Sequence, residues 1–106
     1  MAMVEEAHFK VGQVIRHRLF DYRGVIVDVD PKFSGTDTWY RRQARTRPPR
    51  NAPWYHVLVD GSDDMTYVAE RNLEADISGV PVVHPLVTDL FDGMEGGAYH
   101  RRAAVN

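Results

Sequence analysis

Cysteine is absent from this 106-residue chain, and that one gap excludes a disulfide framework, a thiolate metal site and a cysteine nucleophile together. Apolar runs of membrane-spanning length are missing as well. The first residues carry Glu5 and Glu6 where a signal peptide needs a basic start and a long apolar stretch. Both gaps point to a cytoplasmic protein. His8, His17, His56, His84 and His100 stand too far apart in sequence to form a zinc or metalloprotease motif. Gly93, Gly96 and Gly97 follow the last helical pattern instead of preceding a helix, so they cannot cradle a phosphate. Ser34, Ser62 and Ser78 fall in loop sequence without a nucleophile elbow. Asp28 with Asp30, and Asp60 with Asp63 and Asp64, lack the spacing and closing glutamate of a calcium loop, and acids at strand ends and turns serve solvation. No catalytic residue, metal set or cofactor site emerges. The expectation is a binding protein and not an enzyme.

What the chain does have is enough apolar sequence, 43% against 26% charged, to fold as one globular domain. A net charge of -2 conceals a lopsided distribution. Residues 16–50 hold nine basic side chains against four acidic ones, whereas residues 51–98 hold nine acidic side chains against Arg71 alone. Two readings of this asymmetry stay open. One is a positive face for nucleic acid or an acidic partner; the other is a pair of solvated faces that match within the domain or across an oligomer.

Strand patterns dominate. Residues 14–19 and 24–30 read as a hairpin, with Val25, Val27 and Val29 on one face, Asp28 and Asp30 on the other, and Pro31 ending the ladder. Residues 54–59 and 65–69 read as a second hairpin around the Asp60-Gly61 turn. Residues 70–73 suit a short helical turn, residues 74–83 a loop or edge strand, and residues 84–91 a short amphipathic helix with Pro85 in its first turn. Between the hairpins, residues 33–53 carry Arg41, Arg42, Arg45, Arg47 and Arg50 and end in Pro48, Pro49 and Pro53. Prolines limit any helix there to one or two turns, and a mobile excursion is expected. The fold class is therefore all-β in the main: a small antiparallel SH3-like barrel with one short C-terminal helix. Residues 1–8 read as a flexible N-terminus, 9–92 as the barrel domain and 93–106 as a flexible tail.

Trp54 and Tyr55 alternate faces, so one should enter the core and the other should remain partly exposed beside His56. An exposed aromatic near arginines is equipped to stack on a base or grip a peptide, which makes Tyr55 and His56 candidate partner-binding residues. The same two rings also suit an ordinary barrel core.

Read together, these segments resemble a known family. The residues that carry the resemblance run from Phe9-Lys10-Val11-Gly12-Gln13-Val14-Ile15-Arg16-His17 and Tyr22-Arg23-Gly24-Val25-Ile26-Val27-Asp28-Val29-Asp30-Pro31 onward. They continue through Ala52-Pro53-Trp54-Tyr55-His56-Val57-Leu58-Val59 and Thr66-Tyr67-Val68-Ala69-Glu70-Arg71-Asn72-Leu73 to Val83-His84-Pro85. The family is the heat shock protein Q group, or YccV-like hemimethylated DNA-binding domain. The resemblance implies a bacterial, heat-induced β-barrel protein that binds hemimethylated double-stranded DNA and affects expression of the replication initiator. It also implies a second role, as a specificity-enhancing adaptor and substrate of the Lon protease, and self-association, with a trimer as one form. This chain departs from the family pattern in residues 33–53, where arginines replace a more acidic stretch. Arg41, Arg42, Arg45, Arg47 and Arg50 are therefore the expected phosphate contacts, with Arg16 and Arg18 in support. The adaptor role would draw on the stretch 86–106 and the acidic second half. In the oligomer reading, the arginines would pair with Asp60, Asp63 or Asp64 of a second copy.

Overall fold

The computed structural model describes residues 6–103. Val14–His17 (β1) and Arg23–Asp30 (β2) form the first hairpin and Trp54–Val59 (β3) and Met65–Ala69 (β4) the second, while Leu73–Ala75 (β5) returns to pair with β1. All ladders are antiparallel and the sheet order is β4-β3-β2-β1-β5. The two edge strands are sequence neighbours, separated only by the 3-10 turn Glu70–Asn72. A single tight turn between opposite edges forces the sheet to curl. One or two residues from every strand, namely Ile15, Ile26, Tyr55, Val57, Val68 and Leu73, meet in one cluster, as only the inner face of a curled sheet allows. Each such burial contributes roughly 1.5–3 kcal/mol relative to exposure. Among the described residues no ladder joins β4 to β5, so the curl stays open along β4. The mainly-β antiparallel class expected from the sequence is the class observed.

One facing assignment changes. A bulge between Ile26 and Asp28 leaves Val27 without a cross-strand partner and inverts the alternation beyond it. Val25 and Val27 pack on the outer face with Val14 and Leu58, whereas Val29 joins Ile26 on the inner face instead of sharing theirs. The bulge also brings Asp28 into register with His56, and Asp30 with Trp54.

The C-terminal region departs further from the sequence reading. The helix shrinks to Val87–Leu90 (α2), and residues 93–103, expected as part of a flexible tail, belong largely to a hairpin of Phe91–Glu95 (β6) and Ala98–Arg101 (β7). Gly96 (φ 62°) and Gly97 (φ 81°) make its two-residue turn, a conformation open to glycine at little steric cost. Tyr99 anchors the hairpin: 7% exposed, it packs against Phe91 and accepts a hydrogen bond from Val82 N at 2.8 Å. Its backbone N–H donates to Gly12 O at 2.7 Å, and a Cβ on Gly12 (φ 91°) would lie 2.0 Å from Tyr99 O. Residues 104–106 fall outside the described part, as do residues 1–5. His8, read as loose, donates its backbone N–H to Glu70 Oε1 at 2.7 Å.

Residues 76–83 form the loop that follows β5. Arg23 fastens it, with hydrogen-bonded ion pairs to Asp60 and Asp76 at 2.8 Å each and a further bond to Val80 O. Hydrogen bonds from Ser78, and then the Arg23 guanidinium, hold the Asp76 carboxyl at about 2.

Candidate nucleic-acid interface

The segment between β2 and β3, expected as an excursion, folds into a short helix and a packed return path. Thr36 starts a two-turn helix, Asp37–Gln43 (α1), by accepting the Trp39 N–H on its side-chain oxygen at 3.0 Å. Asp37 in the first turn and Arg41 and Arg42 in the last match the helix dipole. Below the helix, Ala44, Trp54 and Ala69 form a small core with Phe33, Trp39, Tyr40 and Tyr67. The return path is pinned by polar contacts as well. Tyr40 Oη donates to Pro48 O at 2.7 Å, Trp54 Nε1 to Pro49 O at 3.0 Å, and Phe33 N to Arg50 O at 2.8 Å. Arg71 and Asn72 of the 3-10 turn both donate to Thr46. The helix stops at Gln43, well short of Pro48, and so stays within the one or two turns that the prolines allow. What the sequence does not display is that seven aromatic and apolar side chains of the excursion and of β3 and β4 meet there.

This packing divides the five arginines into two groups. Arg50 makes an ion pair with Asp37 at 2.6 Å and lies over the Tyr40 ring at 4.1 Å, so it closes the neck of the excursion. Arg47, at φ 52°, donates to Tyr40 O at 3.4 Å and also sits by that ring. Arg41, Arg42 and Arg45 are exposed, and among the described residues none of them enters an ion pair. These three cations stand on a packed support, without an ion-pair partner among the described residues. Arg18 donates to Leu73 O at 3.1 Å and shares a shallow hollow with Pro49 and Arg71. Arg16 pairs with Asp21 at 3.4 Å and stands in register with Arg23 and Glu74.

The partner-binding assignment of Tyr55 does not survive. Its ring is 0% exposed, packs with Phe9 and donates to Glu70 Oε1 at 2.6 Å. Trp54 is buried too, because the excursion covers the outer face of β3 while Tyr55 fills the inner one. Burial, and then the Glu70 carboxylate, raise the Tyr55 hydroxyl well above its ordinary range, so it stays a neutral donor. His56 is half-buried, with Nε2 3.1 Å from Asp30 Oδ2, an oxygen that also accepts Tyr67 Oη at 2.7 Å. Asp28, Asp30 and His56 bring three ligand atoms within 4.8 Å of one another, a set able to hold a divalent cation with water completing the shell. No sequence spacing reveals this trio, since the bulge in β2 and the β2–β3 register create it.

Beside the arginines runs a cleft of about 400 Å³. All five residues of β4 line it, although successive strand side chains point to opposite faces, so the cleft follows the open edge of the strand and not one face. Trp39, Gln43 and Arg45 line it from the excursion, and His17, Leu19 and Phe20 from the end of β1 and the turn after it. Leu19 and Phe20 are 55% and 68% exposed, large apolar side chains left in water at the mouth of a cleft. Sequence reading missed both because a Leu-Phe pair before a turn resembles the end of a strand.

His17 fixes the turn that carries Leu19 and Phe20. It is 4% exposed, and its Nδ1 accepts the backbone N–H groups of Leu19 and Phe20, each at 3.1 Å, so the proton resides on Nε2. Burial lowers its pKa from 6.5. Because the folded value lies below the unfolded one, the neutral ring contributes its full stabilisation above pH 6.5 and loses it as pH falls through the lowered folded value. Denaturant melts between pH 7.5 and pH 5.5 should therefore show stability falling with pH, and His17→Gln should flatten that slope; an equal slope in the variant would refute the assignment.

A family model described as hemimethylated DNA-binding protein YccV like matches residues 7–98, a span that takes in β1 to β6, the arginine-bearing excursion and the cleft. With nearly the whole described fold inside the match, this chain belongs to the YccV-like family of hemimethylated DNA-binding proteins.

Proposed function

We propose that the protein is a non-enzymatic regulator that docks on hemimethylated DNA with the face carrying Arg41, Arg42 and Arg45. The observation that carries this reading is the contrast among the arginines. Arg50 and Arg47 are engaged in holding the excursion, and the other three are exposed on it without an ion pair among the described residues, Arg45 beside an aromatic cleft. Unmatched cations are what phosphate contacts require, since each neutralised phosphate releases counterions. Arg18, near Pro49 and Arg71, extends the positive surface around the other side of the excursion. Arg50 is a support residue in this scheme. An effect on expression of the replication initiator would follow from occupancy of methylated sites, in the cytoplasm where such DNA is found.

The test is binding of one duplex in unmethylated, hemimethylated and fully methylated forms across a salt series. Preference for the hemimethylated form that persists at physiological salt is the expected result. Equal binding of all three, lost by that salt, would leave only nonspecific attraction and refute the proposal. The Lon adaptor role drew on a loose stretch from residue 86 onward. Residues 87–101 are instead folded into α2, β6 and β7, so that reading keeps only the acidic surface in its favour. In the assembly reading Asp60 is already engaged by Arg23 and by Val83 N, which leaves Asp63 and Asp64 to meet a second copy.

A further inference from the structure

The geometry points to the cleft along β4 as a receptor for a single unstacked DNA base, so that the protein reads its site by drawing one base out of the duplex. This rests on the DNA-binding reading above and adds to it where the methyl-bearing strand is inspected.

Three features carry the inference. First, β4 offers polar groups of the right kind. The backbone bonds Val59 N to Asp64 O and Glu70 N to Pro53 O, together with the register Tyr55↔Val68 and Val57↔Thr66, turn Thr66 and Val68 inward to β3. The intervening Tyr67 and Ala69 therefore direct their N–H and C=O groups to the open edge. One donor and one acceptor side by side from a single residue match the donor–acceptor edge of a nucleobase. Second, the walls suit a flat ring and a methyl group. Phe20, stacked on His17 at 4.7 Å, is mostly exposed, and Met65 is 51% exposed. Exposed aromatic rings stack on bases of any sequence, and the volume of about 400 Å³ lies in the range of small-molecule sites.

Third, the charge is arranged on one rim. Arg45 lines the cleft, whereas Asp28 and Asp30 cluster with His56, which also lines it. A phosphate backbone is attracted to the arginine rim and repelled by the acidic trio, which orients the strand and leaves the base facing β4. An apolar peptide adding as a strand would use the same edge, but it has no need of the arginines.

The experiment places 2-aminopurine at, and beside, the methylation site of a hemimethylated duplex and follows both anisotropy and fluorescence intensity. Binding with a several-fold rise in intensity for the site base alone is expected. Phe20→Ala, exposed enough to leave folding intact by circular dichroism, should abolish the rise and weaken binding about tenfold. Binding with no rise, and with Phe20→Ala behaving as the parent, would overturn base capture while leaving DNA binding standing; a strand-adding peptide would then be the better occupant. Absence of any binding would overturn both.

Discussion

Replacing Arg41, Arg42 and Arg45 together by glutamine is expected to lower affinity for a duplex on the order of 10²–10³-fold at roughly 0.1 M salt, and to flatten the log–log salt dependence by nearly three. The size follows from counterion release, about 0.9 of a log unit in slope per phosphate neutralised. None of the three side chains is needed to hold the fold, being exposed and without an ion pair among the described residues, so stability should shift by no more than about 0.5 kcal/mol. Arg50→Gln is the informative contrast. Its charge is matched by Asp37 at 2.6 Å and its guanidinium covers Tyr40, so it should disturb the excursion and barely change the salt slope. Equal slopes for the triple variant and the parent, measured by anisotropy, would move the DNA contact to another face, with Arg18 and Arg71 the next to test.

Tyr99→Ala should cost about 3–5 kcal/mol of stability, the scale for removing a large buried aromatic, and lower the melting midpoint by roughly 20 °C in a domain of this size. The residue is 7% exposed in a cluster with Val14, Val25, Leu58 and Phe91, and its loss strips Val82 N of its hydrogen-bond acceptor. Gly12, pressed against the Tyr99 carbonyl, should be nearly as intolerant of alanine. A midpoint within a few degrees of the parent in calorimetry would show that the last hairpin does not belong to the cooperative core. The outcome bears on degradation too. Deleting residues 99–106 removes Tyr99, so faster proteolysis of that variant would report unfolding and not the loss of a recognition tag. Truncation after Ala103 leaves the hairpin intact and separates the two.

Much of the sheet was legible in the chain. The β-branched run Val25-Ile26-Val27, the Asp60-Gly61 turn and the strands 54–59 and 65–69 are set by side-chain alternation and turn chemistry, which act over a few residues. Ordinary local rules also placed the 3-10 turn. The C-terminal hairpin is not legible because Gly93, Gly96 and Gly97 read as the end of a helix and the start of a tail, and only the docking of Tyr99 on Gly12 and Val82 turns the last two of these glycines into a hairpin turn.

For the site, local sequence determined which residues are cationic, that Pro48, Pro49 and Pro53 forbid a long helix, and that the arginines fall in one segment. Tertiary structure decided what those residues can do. Whether an arginine is free for a phosphate depends on an Asp37 or Tyr40 arriving from elsewhere in the excursion, and whether Tyr55 is exposed depends on which faces the excursion and the curled sheet cover. The bulge after Ile26, the Asp28–Asp30–His56 trio and the open edge of β4 all arise from strand register, a long-range property that no window of neighbouring residues encodes.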